Sequence, residues 1–125
     1  VLDADALALL AARVNVPGAR AVLSDGWKGL PRRPRFHRIF SNPPVHHGLV
    51  SDFRVVHLIL RGAARRLRRG GELWIVCQAY VPLAALATQL GRKSTRLGPP
   101  QAVSEDGRFT VWKLAKVASS CVGTL

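Results

Sequence analysis

Two hydrophobic periods alternate along this chain of 125 residues. Residues 5–14 (DALALLAARV) are rich in helix formers and open on Asp5, whose carboxylate suits an N-cap because it can accept from the free amides of a first helical turn. Asn15 to Gly18, with Pro17, stop that helix. Residues 19–23 (ARAVL) predict a short strand. The stretch 24–35 holds Gly26, Gly29, Pro31 and Pro34 and reads as loop. Residues 36–41 (FHRIFS) alternate as a strand does. Pro43 and Pro44 end that strand, because proline has no amide to give to a ladder.

Over 52–69 the period lengthens. Phe53, Val56, Leu60, Ala63, Ala64 and Leu67 recur at intervals of three and four and predict one buried helix face. Arg54, Arg61, Arg65 and Arg68 fall on another face. Ser51 or Asp52 suits the start, and Gly70-Gly71 the end, where glycine takes a left-handed cap cheaply. Residues 72–78 (ELWIVCQ) form a continuous apolar run, as expected of a strand covered on both sides. Pro82 opens a further helix over 82–90, at a position where its missing amide is no loss, and Gly91 ends it. Two final strands are predicted, one near 93–103 and one at 108–115 (RFTVWKLA), in which Phe109 and Val111 alternate against Thr110, Trp112 and Leu114. Asp106-Gly107 between them is a hairpin signal. The order of elements predicts an α/β layered fold with a mainly parallel sheet and an antiparallel closing hairpin. The length bounds it to a single domain over 1–125.

Composition narrows the class. The chain is 48% apolar, too much for disorder. No apolar run approaches the roughly 18 residues of a membrane span. Val1 to Leu10 carries Asp3 and Asp5 and no basic start, so it does not read as a signal peptide, and without an initiator Met the chain reads as a processed product or a fragment. Lys and Arg number 19 against seven acids, a net charge of +12. Codon bias can favour Arg over Lys, but it does not make acids scarce. The balance therefore points to a polyanionic partner, nucleic acid before membrane. Cys77 and Cys121 are isolated and read as reduced thiols of a cytoplasmic protein. No metal pattern is present: His46 and His47 are adjacent, and no cysteine stands at ligand spacing.

The segment Ser41-Asn42-Pro43-Pro44-Val45-His46-His47-Gly48 follows a predicted strand and precedes the amphipathic helix. After that helix comes Leu67-Arg68-Arg69-Gly70-Gly71-Glu72-Leu73-Trp74-Ile75-Val76, and the chain nears its end with Gly107-Arg108-Phe109-Thr110-Val111-Trp112-Lys113. The three elements in this order resemble class I S-adenosylmethionine-dependent methyltransferases that modify exocyclic amino groups of bases. They are most similar to the C-type guanine-N2 methyltransferases of small-subunit ribosomal RNA and their large-subunit relatives. The resemblance covers nearly the whole chain. It implies an incomplete Rossmann-like domain, S-adenosylmethionine as cofactor, and ribosomal RNA or a ribosomal subunit as partner.

The chemistry of such a reaction explains the motif. An exocyclic base nitrogen has its lone pair delocalised into the ring and is a poor nucleophile. A side-chain carbonyl and a backbone carbonyl set between rigid prolines can accept its two N–H bonds and turn the lone pair outward. By resemblance Asn42 and the Pro43 carbonyl do this, with Pro44 fixing the backbone. The plain alternative is a strand-to-loop turn, which Asn-Pro often opens. The family usually has an aromatic after the prolines to stack on the base; Val45 stands there, able to pack on a base but without π overlap, and His46 is the nearest ring. By the same resemblance Asp3 accepts from the cofactor ribose and Asp25 lies beside the adenine, although a single Asp after a strand also serves as a turn or helix cap. Arg32, Arg33 and Arg35, within a basic loop that also holds Lys28 and Arg38, are expected at substrate phosphates, since loops at the carboxyl ends of strands line the ligand crevice in such folds. Arg61, Arg65 and Arg68 serve equally as phosphate contacts or as a solvated helix face.

The family's glycine-rich cofactor loop lies upstream of the ribose acid, and no GxG cluster occurs among the eleven glycines. The expectation is a partial domain without the first strand and that loop. A gap between its third and fourth strands would leave it marginal alone, prone to self-association, or completed by a further portion. A second reading follows: a non-catalytic, RNA-binding remnant of the same fold. A third, a structural ribosome-associated protein, leaves the Asn-Pro-Pro context to coincidence.

Overall fold

The computed structural model describes residues 1–45 and 53–118. The chain divides into two compact units, 1–34 and 35–125.

The first unit is a strand, a helix and a strand. β1 (Leu2–Asp3) and β2 (Val22–Leu23) pair in parallel, with Asp3 opposite Leu23. Between them runs α1 (Ala6–Asn15), capped as the sequence predicts: Asp5 Oδ1 accepts from the Leu7 amide at 2.8 Å. Leu9 is its one buried side chain. β2 occupies only the end of the predicted 19–23 strand.

The second unit holds a four-stranded sheet in the order β3-β4-β6-β5. β3 (Phe36–Ser41) matches its predicted bounds and pairs in parallel with β4 (Leu67–Gln78). β6 (Phe109–Ala115) lies antiparallel to β4, and β5 (Gln101–Glu105) antiparallel to β6. The expected α/β class with parallel pairing and an antiparallel closing hairpin is what the chain adopts. β1 and β2 form a two-stranded sheet of their own, separate from the sheet of β3 to β6.

α2 (Arg54–Arg66) packs on the face of β4 that carries Leu67, Leu73, Ile75 and Cys77, and α3 (Leu83–Leu90) and α4 (Arg92–Thr95) pack against α2. Val56, Ile59, Leu60, Ala63 and Ala64 are the buried stripe of α2, close to the stripe read from the sequence. The opposite face of the sheet presents Arg38, Phe40, Glu72, Trp74 and Lys113. Phe40 is 72% exposed and tilts against Trp74 at 6.3 Å between ring centres.

Three expectations are corrected. First, the long helix ends at Arg66, and Gly70-Gly71 is a bulge inside β4. Leu67 is already extended (φ −90°, ψ 143°) and pairs with Phe36, whereas Arg38 pairs with Glu72. Two residues of β3 thus span five of β4, and Gly70 absorbs the detour at φ +71°. Arg68 therefore leaves the helix face on which it was expected. Second, the region near 93–103 splits into the short α4 and the strand β5. Third, Pro82 precedes α3 at its N-cap position. Ser51 and Asp52, the expected caps of α2, lie outside the described residues, and Phe53 in the N-cap position offers no side-chain cap. The Asp106-Gly107 hairpin forms as predicted, with Gly107 at φ +83° and Asp106 Oδ1 accepting from the amides of Arg108 (2.9 Å) and Phe109 (2.7 Å).

Candidate functional site

Parallel pairing brings the carboxyl ends of β3 and β4 to the same rim, and chemistry concentrates there. Ser41, the last residue of β3, pairs with Ile75. The chain then leaves the sheet through Asn42, exposed, Pro43, buried, Pro44, exposed, and Val45, buried. The alternation follows from the prolines. Each fixes its φ near −65° and offers no amide, so the segment stays extended without a strand partner. Asn42 faces solvent at the point where the ladder stops, its side-chain amide held by a backbone that cannot continue the strand.

Val45 is only 7% exposed, which leaves little of its surface for a base. Its carbonyl accepts from the Tyr80 hydroxyl at 3.3 Å. Tyr80 stands two residues beyond the end of β4, where the Ala79 amide donates to Arg108 O (2.8 Å) and Val81 closes a turn onto Gln78 O (2.9 Å). The hairpin tip joins the same rim: Phe109 pairs with Gln78 and carries the Arg108 guanidinium 5.8 Å from its ring centre. Gln78 Oε1 is buried without a partner. An orphaned carbonyl acceptor of this kind costs about 1–3 kcal/mol unless a donor arrives. The rim thus offers Asn42, the Pro43 carbonyl and Gln78 as acceptors, and Tyr80 and Phe109 as rings. Neither Tyr80 nor Gln78 was among the residues read from the sequence. Their one signal was position, at the end of the buried run 72–78.

Asp3 and Asp25 lie in the first unit, at the carboxyl ends of β1 and β2, which the Ser24 amide ties together through Asp3 O (2.9 Å). Asp3 Oδ1 accepts from the Asp5 amide at 2.9 Å, which fixes the carboxylate at the strand tip. Asp25 pairs with Lys28 at 2.9 Å, largely in solvent. Ser24 is buried. Its hydroxyl donates to Gly26 O (2.8 Å) and accepts from the Gly29 amide (2.7 Å), so the loop that carries Asp25 is internally braced. An anchored carboxylate at the end of a parallel strand is an acceptor that fits the two hydroxyls of a ribose diol.

Arg35, the last arginine of the basic loop, does not reach this rim. Arg35 immediately precedes β3 while Asn42 immediately follows it, so a six-residue strand, roughly 20 Å of chain, separates them. Arg32 and Arg33 are exposed in the first unit. Arg61 and Arg65 are exposed on α2, whereas Arg68 lies in β4 and donates to Arg35 O at 3.2 Å. His46 and His47 lie outside the described residues. Burial raises the Cys77 thiol to about 11, which keeps it protonated and unreactive at neutral pH. Among the described residues no three His, Cys, Asp or Glu side chains are grouped to hold a metal ion. No described helix is long and apolar enough to cross a membrane.

Comparison with known proteins places this geometry in a family. The family model described as methyltransferase small domain matches residues 1–113. The ribosomal RNA small subunit methyltransferase C of Sodalis glossinidius is 34% identical over 115 residues, which cover 89% of this chain and 31% of that protein. Its counterpart in Pectobacterium atrosepticum is 37% identical over 79 residues, 63% of this chain and 21% of that protein. The chain thus spans a third or less of the curated relatives it matches. Among solved structures, the Thermus thermophilus 16S ribosomal RNA N2 methyltransferase, in complex with AdoMet and guanosine, superposes with a TM-score of 0.65 at 25% identity over 86% of this chain and 28% of that one. TrmN from Thermus thermophilus superposes with a TM-score of 0.62 at 26% identity over 93% of this chain and 35% of that one.

Proposed function

Because the chain belongs to the methyltransferase small domain family, we propose that it is the base-recognising part of an S-adenosylmethionine-dependent methyltransferase acting on the exocyclic N2 of guanine in ribosomal RNA. The observation that carries this reading is the exit of Asn42-Pro43-Pro44 from the carboxyl end of β3, with the asparagine exposed and the prolines holding the backbone extended. The relatives named for ribosomal RNA methylation, and a structural neighbour solved with guanosine, support the choice of base and of nucleic acid.

The residues act by positioning. Asn42 Oδ1 and the Pro43 carbonyl accept the two N–H bonds of a guanine N2, which draws the nitrogen out of conjugation and leaves its lone pair directed away from both acceptors. The Tyr80 hydroxyl holds the carbonyl of Val45 and so fixes the far side of the proline pair. With Val45 buried, a stacking partner for the base comes from a ring at the same rim, Tyr80 or Phe109. S-adenosylmethionine, when bound, supplies an electrophilic methyl group, and Asp3 is the residue suited to its ribose hydroxyls, with Asp25 beside the adenine. A methylated exocyclic nitrogen would be strongly acidic and would lose its extra proton to solvent, while Asn42 Oδ1 and the Pro43 carbonyl only hold its N–H bonds in place. No strong general base is needed.

The test is methyl incorporation into small-subunit ribosomal RNA by the full chain, with nucleoside digestion and mass spectrometry to locate the methyl group. Asn42→Ala is expected to lower the rate at least a hundredfold, the usual effect of misplacing a reacting atom by an ångström, while leaving the fold intact because Asn42 is exposed. N2-methylguanosine confirms the reading. An Asn42→Ala variant as active as the parent, or a chain that binds RNA without any transfer, would overturn it, the latter in favour of an RNA-binding remnant.

A further inference from the structure

The rim of the sheet opposite Asn42 carries a second concentration of charge. Arg35 stands just before β3. Arg68 and Arg69 ride on the β4 bulge. Lys116 follows β6, which runs antiparallel and so ends at the amino end of β4, where Ala115 pairs with Glu72. Backbone bonds lock these positions together. Arg68 Nε donates to Arg35 O (3.2 Å), the Lys116 amide to Gly71 O (2.8 Å), Lys116 Nζ to Leu67 O (2.8 Å), and the Val117 amide to Arg96 O (3.0 Å). Arg35, Arg68, Arg69 and Arg96 are exposed.

This arrangement is electrostatically unfavourable as it stands. Among the described residues no carboxylate forms an ion pair with any of these five cations. The neighbouring Glu72 is already engaged by Arg38 (3.3 Å), by the Trp74 indole (2.9 Å) and by Lys113 (4.0 Å). Partial burial first, and then Arg35 and Arg96, hold the Lys116 ammonium below its ordinary range, the signature of a cation among cations. Beside the cluster the bulge opens a cavity of about 320 Å³ lined by His37, Arg38, Arg69, Gly70, Gly71 and Glu72.

We infer that this amino-end rim, built from Arg35, Arg68, Arg69, Arg96 and Lys116, is a docking surface for the phosphate backbone of the RNA substrate, separate from the site that takes the base. The inference rests on the reading of the substrate as RNA. Length argues for an extended polyanion, since the strands between the two rims span roughly 20 Å and one nucleotide cannot reach both. Side-chain chemistry argues for phosphate, because four of the five cations are guanidinium groups, whose planar fork matches a phosphate oxygen pair. A membrane surface is a poorer match. Its binding wants several apolar anchors interleaved with the cations, whereas here Leu67 and Leu97 are buried and Phe36, 37% exposed, stands beside Arg35.

The experiment is fluorescence anisotropy of the full chain with a labelled transcript of small-subunit ribosomal RNA, repeated across salt concentrations. Arg68→Gln with Arg96→Gln is compared with Arg13→Gln and Arg20→Gln, an equal loss of charge in the first unit. Each phosphate contact contributes about 0.7 to the slope of log K against log salt on single-stranded RNA. The rim pair is therefore expected to flatten the slope by about 1.4 and to weaken binding roughly tenfold at physiological salt. The control pair is expected to change neither by more than a fraction of that. Arg68→Lys with Arg96→Lys, which keeps the charge, should restore most of the slope, and circular dichroism checks that each variant is folded. Equal effects of rim and control pairs, or none from either, would overturn the rim while leaving the base site standing. So would a rim pair that loses binding to phosphatidylserine vesicles but keeps its RNA slope. A parent chain that binds no RNA would overturn both readings.

Discussion

Replacing Gly71 with alanine tests the bulge on which both rims depend. Gly71 and Gly70 are adjacent, yet they are glycine for different reasons. A Cβ on Gly71 would lie 2.8 Å from Arg68 O, 3.1 Å from His37 O and 3.1 Å from Leu67 Cβ. Two of those atoms are backbone, one on β4 itself and one on β3, so neither can swing aside. Relief requires moving the strands apart by several tenths of an ångström at a buried position, which belongs with overpacking at about 1–3 kcal/mol. A Cβ on Gly70 meets nothing within 4 Å, but the residue sits at φ +71°. Alanine there suffers left-handed strain of about 1–2 kcal/mol, partly offset by about 0.4–1 kcal/mol from a stiffer unfolded chain. Gly71→Ala should therefore be the more damaging by about 1 kcal/mol, and Gly70→Asn should be milder than Gly70→Ala because asparagine tolerates the left-handed region. Urea unfolding followed by circular dichroism measures all three, and roughly 4 °C of melting temperature accompanies each kcal/mol at this size. Because the bulge sets the register of Arg38 on Glu72 and Ser41 on Ile75, Gly71→Ala should also lower methyl transfer more than its stability loss explains. If Gly70→Ala proves as destabilising as Gly71→Ala, or Gly71→Ala is neutral, the close approach of the two strands is refuted.

Other expectations bear on other parts of the molecule. Tyr80→Phe removes the hydroxyl that donates to Val45 O; stability should fall by about 0.5–1.5 kcal/mol and methyl transfer severalfold, and an unchanged rate would show that the proline pair is held without it. With its thiol raised to about 11 from 9.0, Cys77 should alkylate roughly a hundredfold more slowly at pH 8 than an unperturbed cysteine, and mass spectrometry of its iodoacetamide-treated peptide reads this directly. Glu72, held low chiefly by the Trp74 indole, and Asp106, held low chiefly by the Phe109 amide, have depressed carboxyl pKa values in the folded chain. The stability they contribute is thus complete at neutral pH and lost as the pH falls through about 4 and below. Melting temperatures between about pH 6 and pH 3 should decline less steeply in Asp106→Asn than in the parent, and an identical decline would dismiss the hairpin carboxylate as a contributor.

Local chemistry was legible wherever one residue and its immediate neighbours decide the outcome. The Asp5 cap, the β3 strand ended by two prolines, and the Asp106-Gly107 hairpin all formed where the sequence placed them, because each depends on bonds within a few residues. The errors share a cause. Gly70-Gly71 looks like a helix stop, and only the pairing of β4 with β3, some thirty residues away in sequence, makes it a bulge instead. Arg68 then changes from a helix-face residue to a strand residue bonded to Arg35. Arg35 itself was expected at the substrate crevice because it lies in a basic loop, but a loop has two ends, and this one delivers its last arginine to the amino end of a strand.

The same pairing explains how one strand serves two purposes. Beyond the bulge, the strict register from Arg38–Glu72 to Ser41–Ile75 fixes where β3 stops relative to β4, and therefore where Asn42 emerges beside the segment leading to Tyr80. Within the bulge, three extra residues of β4 carry Arg68 and Arg69 outward, clear of the ladder. An unbulged β4 of the same sequence would run Arg69 opposite Arg38, where Glu72 now stands, and would set two guanidinium groups side by side in place of the Arg38–Glu72 ion pair. The double glycine lets an arginine-rich segment enter the sheet without setting Arg69 against Arg38. The apolar run that follows stays in the core, and the cations stay on the rim where a polyanion can reach them.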